Sequence, residues 1–249
     1  MQNIPLHALS HSLDLLKDTY NYNHWVYSLL RRHIGRRLCE VGAGTGNLTQ
    51  FFLNLEHVLC IEPEEEYCEV LRHMAAIHAN LTVCPGHLQA CASKPGVAGA
   101  FDTVVCVNVL EHIEDDIQAL RDMTGFLQDG GRVLLYVPAA PWAYGRLDAE
   151  LGHYRRYSKR RIRRLARECG LILRQCQYVN FIGAFGWWWH SRVLRREVIS
   201  PESARFVDRL VPYLSALERL VPLWTGQSLF AVLQKPNGVF SCDGGAAVV

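Results

Sequence analysis

The seven residues GHYRRYS, Gly152 to Ser158, bring together a histidine, two tyrosines and two arginines. Each of these residue types has a use at a reaction centre. An imidazole titrates near neutral pH and can take a proton from a hydroxyl nucleophile. A phenol can orient an acceptor, and a guanidinium can hold an acidic group in a bidentate fork. His153 is therefore the candidate general base, with Tyr154 and Tyr157 as orienting groups. Arg155 and Arg156 are candidate contacts to an anionic substrate. The segment alone fits a catalytic loop, an anion clamp or the polar entrance to a helix.

A second group lies earlier, in RRLCEVGAGTGNLTQFFLNL, where Glu40 precedes an alternating run of Gly42, Gly44 and Gly46. Glycines at this spacing let backbone pass close to a ligand, because no Cβ fills the space. A pyrophosphate needs several amides at a helix N-terminus and tolerates a nearby carboxylate poorly. A cofactor with an ammonium group and no phosphate would prefer Glu40. S-adenosylmethionine is such a cofactor. Glu62, about 20 positions after the turn and closing a second apolar run, suits two ribose hydroxyls.

These residues need elements to hold them. Arg37–Val41 reads as a strand, followed by the glycine turn and a helix capped by Asn47 or Thr49 that carries Phe51, Phe52 and Leu55. His57–Ile61 is a second strand. Asp102–Val107 is a continuous apolar run of the kind buried on both faces of a parallel sheet. It delivers Asn108 to His112 to its carboxyl end, where ligands bind in doubly wound sheets. A helix over 115–127, Gly130-Gly131 and a strand over 132–137 follow. Strands alternating with helices give a βαβ arrangement.

The chain has 249 residues, 49% apolar and 20% charged, which suits one large α/β domain with insertions. No apolar run approaches the ~20 residues of a membrane-spanning helix, and residues 1–12 lack the pattern of a signal peptide. The nine cysteines form no C-x-x-C pair and several sit inside strands, so reduced core thiols are expected, with no metal site. The expected location is cytoplasmic. The overall charge of +2 conceals −8 over residues 1–150 and +10 over residues 151–249. The later part is suited to meet something anionic: a phosphate, a carboxylate or a membrane surface.

With CEVGAGTGNLT, IEPEEEY, VNVLEHIED and GGRVLLYVPA in this order and spacing, the chain resembles the class I S-adenosylmethionine-dependent methyltransferases over about residues 20–180, plus a last strand at Leu229–Gln234. The resemblance implies a doubly wound, mostly parallel seven-stranded sheet with helices on both faces, a Rossmann-like fold. It implies that Glu40, Gly42, Gly44, Gly46 and Asn47 surround the methionine part of the cofactor and that Glu62 and Pro63 meet its ribose. Asn108, Val109, Leu110 and His112 would line the cofactor wall. His87 and Leu88 of CPGHLQ stand where the family offers an acidic residue to adenine. Tyr20, Tyr22 and Trp25 are candidates for an N-terminal lid, with Tyr20 and Trp25 toward cofactor and Tyr22 toward substrate.

The resulting organisation is N-terminal lid helices over 1–34 and a cofactor-binding core over 35–180. A helical substrate cap over 181–227, a last core strand over 228–235 and a tail without fold over 236–249 complete it. Trp142 and Tyr144, in the turn-rich loop after Pro138, and Trp187 in the cap are candidate substrate contacts. Ser158 should cap the arginine-rich helix over 159–169. In the cap, Val207, Leu210, Val211, Leu214, Leu217 and Val221 fall on one helical face, with a kink at Pro212. Trp187–Trp189 with Arg192, Arg195 and Arg196 would also suit an interfacial helix touching a membrane.

The expected activity is methyl transfer to a small-molecule acceptor, anionic or apolar, in specialised metabolism. Two alternatives are a lipid or lipid-linked acceptor and a non-methylating outcome such as cyclisation. Nucleic acid is not an expected partner, because NVLE stands where base-flipping enzymes carry an acidic-Pro-Pro-aromatic motif. Acceptor atom and oligomeric state are not expressed in the sequence.

Overall fold

The computed structural model describes residues 19–181, 201–218 and 224–238. In chain order the elements are α1 (Tyr20–Leu30), β1 (Arg37–Val41), β2 (His57–Glu62), α2 (Glu65–Ile77), β3 (Leu81–Pro85), α3 (Leu88–Ala92) and β4 (Phe101–Val107). After them come α4 (Asp116–Phe126), β5 (Leu127–Pro138), α5 (Arg146–Glu150), α6 (Lys159–Glu168), β6 (Ile172–Val179), α7 (Pro201–Glu218) and β7 (Ser228–Gln234). The seven strands form one sheet in the order β3-β2-β1-β4-β5-β7-β6. β1 to β5 pair in parallel, and β7 lies antiparallel between β5 and β6. The strand order reverses at the β1–β4 boundary. The crevice for a ligand opens there, beyond the carboxyl ends of both strands.

Period-two alternation explains why the apolar runs sit buried on both sides. Val104 and Cys106 pack with α3, α4 and α6 on one face, whereas Val105 packs with α1, α2 and α7 on the other. In β5, Val133, Leu135 and Val137 join the first layer, and Leu134 and Tyr136 the second. Ser158 caps α6 by accepting the Arg161 amide at 3.2 Å, and Asp115 caps α4 by accepting that of Gln118 at 2.9 Å.

Four expectations are corrected. The helix expected after the glycine turn is a single 3-10 turn, Thr49–Phe51. Thr49 directs its hydroxyl to Glu40 instead of a helix-end amide. β5 begins at Leu127, not 132, because Leu127 pairs with Phe101 and Gly130, at φ 76°, lets the strand bulge onward. Cys84 and Cys91 are disulfide-bonded, their Cα atoms 6.4 Å apart across the turn between β3 and α3. Cys39, Cys60, Cys68 and Cys106 are buried free thiols, as expected. Finally, α7 divides its apolar residues: Val211 is buried against the sheet layer while Val207, Leu210 and Leu217 are exposed. No helix among the described residues is long and apolar enough to cross a membrane. The expected membrane contact at Trp187–Trp189, the substrate contact at Trp187, Val221 and the tail beyond residue 238 lie outside the described residues.

Candidate active site

The glycine turn is built from backbone. Gly42, Gly44 and Gly46 adopt φ values of 71°, 55° and 80°, in the left-handed region. The Gly42 amide donates to the Ile61 carbonyl at 2.8 Å, which ties the turn to the end of β2. A Cβ on Gly42 would lie 2.3 Å from Val109 Cγ2, so the turn presses directly against the loop after β4. Two carboxyls border this turn. Glu40 is buried and accepts the Thr49 hydroxyl at 2.7 Å. Burial pushes its pKa up to about 8, against the pull of the Thr49 and Cys60 hydrogen bonds. Glu62 accepts the Gly44 amide at 2.7 Å and the Glu64 amide at 3.0 Å. Burial raises its pKa too, with those amides opposing, and His87 is close enough to act on it electrostatically. Leu88 is buried in the first core layer, and His87 precedes α3 at its N-terminus.

The loop after β4 opens with Asn108 at φ 53°, a conformation asparagine tolerates better than most residues. Its amide donates to the Tyr136 carbonyl at 2.8 Å. The Asn108 side chain bonds the Tyr22 phenol, which also lies 3.1 Å from the Tyr136 hydroxyl. Burial, ahead of these bonds, raises the Tyr22 pKa. Tyr22 is fixed from its other end as well: its amide donates to Asp208 Oδ1 of α7 at 2.9 Å. Asn21 meets Asp208 Oδ2 through its amide at 3.3 Å and its side chain at 2.9 Å. Asp208 thus caps α1 from another element. Trp25, expected at the cofactor, is buried edge-on against Tyr136 instead, and Tyr20 is exposed beside Phe51 and His24.

The third part is the segment from Ala139 to Ser158. Asp148 of α5 is fully buried and accepts three hydrogen bonds: from the Gly145 amide at 3.0 Å, His153 Nδ1 at 2.9 Å and Arg156 Nε at 2.7 Å. Burial alone would raise its pKa, but the His153 and Arg156 bonds outweigh it and hold the carboxylate below its usual range. With Nδ1 on Asp148, His153 keeps Nε2 as the nitrogen that can accept a proton. The His112 ring stands edge-on to that of His153, centroids 4.7 Å apart. Burial and then the charge of His153 push the His112 pKa down to about 4. Beside them, burial pushes Glu111 up to about 8, and its Oε2 has no hydrogen-bond partner. Glu111, His112 and His153 each offer one ligand atom, all within 4.8 Å of one another, so this corner could hold a cation that the sequence reading does not assign.

The other polar residues of GHYRRYS hold the loop in place. Arg155 donates to the Ile113 and Glu114 carbonyls at 3.1 and 2.6 Å and pairs with Asp116. Arg156 is buried on Asp148 and the Ala139 carbonyl. Neither is placed to grip a substrate anion, because each guanidinium already serves the loop. Tyr157, expected to orient an acceptor, is fully buried and donates to the Leu110 carbonyl at 3.2 Å. Tyr154 is half exposed, and its amide donates to the Glu111 carbonyl at 2.8 Å. Tyr144 donates its hydroxyl to the His153 carbonyl at 2.7 Å, and Trp142 is exposed. Sequence reasoning missed Asp148, Tyr136 and Asp208. Asp148 carries a weak signal, an acid five positions before the histidine. The other two join the site only through tertiary contact.

Known proteins share this fold and part of this sequence. Residues 39–133 match the family model described as a methyltransferase domain. The ubiquinone biosynthesis O-methyltransferase of Marinobacter nauticus is 28% identical over 103 residues, 41% of this chain and 43% of that protein. The match spans less than half the length of the curated relatives. Among solved structures, a chain from the complex of the Haloferax volcanii Trm112 methyltransferase activator with a methyltransferase superposes with TM-score 0.64, at 15% identity, covering 93% of this chain and 98% of that one. Geranyl diphosphate methyltransferase in complex with S-adenosylmethionine gives TM-score 0.60 at 14% identity, covering 84% of each chain. At these identities the solved structures show the shared fold. By this domain match and the shared fold, the chain resembles the class I S-adenosylmethionine-dependent methyltransferases.

Proposed function

We propose that the protein transfers a methyl group from S-adenosylmethionine to a hydroxyl oxygen of a small-molecule acceptor, with His153 as general base. The observation that carries this reading is the His153–Asp148 pair, 2.9 Å apart, beside Glu111 and His112 at the carboxyl edge of β4. The residues around the glycine turn fit the cofactor: a turn without side chains at Gly42 and two buried carboxyls next to it. When bound, the cofactor supplies an electrophilic methyl group on a positively charged sulfur.

Glu40 would hold the cofactor's ammonium group and Glu62 its ribose hydroxyls. Because burial holds Glu40 largely protonated at neutral pH, an arriving ammonium would favour the carboxylate and release a proton. At the acceptor, Nε2 of His153 takes the hydroxyl proton as the oxygen attacks. Asp148 fixes the tautomer through Nδ1 and stabilises the imidazolium that forms. Arg156 and the Gly145 amide hold Asp148 in turn. Tyr22 and Asn108 would supply a hydroxyl and an amide for orienting the acceptor, with buried Tyr136 holding the Tyr22 phenol in place.

The acceptor falls between a soluble compound of specialised metabolism and a lipid-linked molecule. Relatives named for ubiquinone biosynthesis favour the hydroxyl and support the second class. The test is turnover of methyl-labelled S-adenosylmethionine with soluble and lipid-linked phenols. Labelled product and S-adenosylhomocysteine in equal amounts support methyl transfer. Acceptor conversion without S-adenosylhomocysteine would point to a non-methylating outcome such as cyclisation.

A further inference from the structure

Glu111 carries a buried carboxyl oxygen that the protein itself does not satisfy. The residue is 1% exposed, and its Oε2 has no hydrogen-bond partner among the described residues. Most buried polar atoms are paired with protein, water or an ion, because leaving one dry is costly. The carboxyl shares its space with two histidines: one ligand atom each from Glu111, His112 and His153 lies within 4.8 Å of the other two. Ligand atoms around a tetrahedral zinc ion stand about 3.4 Å apart, so side-chain turns of about an ångström would close the set. Each ring already has one nitrogen committed. Asp148 holds Nδ1 of His153 at 2.9 Å, and the Gly152 carbonyl accepts a hydrogen bond from the His112 ring. Metal-bound imidazoles are fixed in this way, by a carboxylate or a carbonyl on the nitrogen away from the ion, and each ring here keeps one nitrogen for a ligand role. Both histidines are only partly buried, which leaves a path from solvent.

We propose that Glu111, His112 and His153 bind a divalent late transition-metal ion, with zinc as the type case. Two imidazoles and one carboxylate suit Zn2+, whereas Mg2+ and Ca2+ prefer sets made of oxygen alone. The local charge fits a cation. Arg156 and Asp148 form an ion pair 2.7 Å apart, so their charges largely cancel and the Glu111 carboxylate is left to offset the ion. Three protein ligands leave a further coordination position for water or an acceptor oxygen. The expectation of no metal site rested on the cysteines, and none of them takes part here. Nε2 of His153 cannot hold a metal and take a proton at once, so a loaded chain would lose the base proposed above. Metal binding does not depend on that reading, and its test reads binding alone.

The test is calorimetry of the full chain, freed of metal with a chelator and titrated with Zn2+ and separately with Mg2+. One zinc ion per chain is expected, and no binding of Mg2+. Co2+ in place of Zn2+ should give the visible absorption of a nitrogen and oxygen site, without the near-ultraviolet band that thiolate ligands produce. Glu111→Gln and His112→Asn should each weaken zinc binding at least about tenfold, and Asp148→Asn about 10–100-fold through loss of the His153 anchor. His112 is partly exposed, so His112→Asn keeps the test open if melting shows that Glu111→Gln does not fold. The proposal is overturned if the wild-type chain binds no Zn2+, which would leave water as the partner of Oε2. It is also overturned if the Co2+ spectrum is that of thiolate ligands, or if the folded ligand variants bind zinc undiminished. Methyl transfer is not measured in any of these arms, so each of those outcomes leaves the proposed base standing.

Discussion

The glycine turn and the GHYRRYS segment meet at the same sheet edge but are assembled in opposite ways. The turn is local: its amides and two carboxyls come from β1, β2 and the residues immediately after them, and side chains are mostly kept out. The GHYRRYS loop is a web of side-chain bonds, in which one buried aspartate, Asp148, holds a histidine, an arginine and a turn amide. The turn presents a surface for a ligand. In the loop, Arg155, Arg156 and Tyr157 are spent on holding the chain, which leaves His153 and the half-exposed Tyr154 chemically available. Residues of similar chemical promise in a sequence can therefore differ sharply in what the fold leaves free.

Substitutions can break or sharpen this contrast. The largest effect should come from Gly42→Ala, where the new Cβ meets Val109 in a left-handed backbone. Calorimetry with S-adenosylhomocysteine should show affinity lower by at least about 100-fold; near-normal affinity would mean that the turn does not carry the cofactor. His153→Ala should lower kcat by about 10²–10⁴-fold while leaving S-adenosylhomocysteine affinity within about twofold. An equal loss in both would merge the two regions into one.

Glu111→Gln probes the join between them. In the folded chain Glu111 holds its proton up to about pH 8, whereas in the unfolded chain it ionises near its ordinary value. Folding stability from this group is therefore complete at low pH and is lost as pH rises toward 8. Urea titrations should find the variant gaining on the wild-type chain between about pH 5 and 8, by at most about 1.4 kcal/mol per pH unit. A pH-independent difference would contradict a protonated Glu111.

Asp208→Ala should cost about 0.5–2 kcal/mol, the usual price of a lost helix cap. It should also raise KM for the acceptor more than it lowers kcat, since Tyr22 loses its anchor. The smallest change is expected from Arg155→Gln, about 1 kcal/mol of stability with acceptor KM within about twofold. A large KM increase confined to anionic acceptors would restore the anion clamp.

The sheet and the glycine turn were legible because their signals are contiguous. Apolar runs of strand length, the Gly42–Gly46 alternation and Glu62 at a strand end all fall within a few residues of what they build. The GHYRRYS segment was legible in residue types but not in their employment. Nothing near Arg155 in sequence announces the Ile113 and Glu114 carbonyls some 40 positions earlier. Asp208 reaches α1 across a separation of 186 residues. The helical period of α7 was legible, but not that its apolar residues divide between a covered and an exposed side, which periodicity alone does not express. The disulfide of Cys84 and Cys91 was missed because only the fold brings two residues seven apart to bonding distance.

The position of β7 sets a timetable for the molecule. β6 has β7 as its sheet partner, and β7 is the last strand among the described residues. Tyr22 likewise waits for Asp208 before its amide is capped. A ribosome that has already released the whole glycine turn is thus still holding back the pieces that seat β6 and anchor Tyr22. Such late, long-range closure slows folding. It also means that a chain shortened by a few dozen residues after β6 and α7 should keep the glycine turn in its sequence yet lose the strand that pairs with β6.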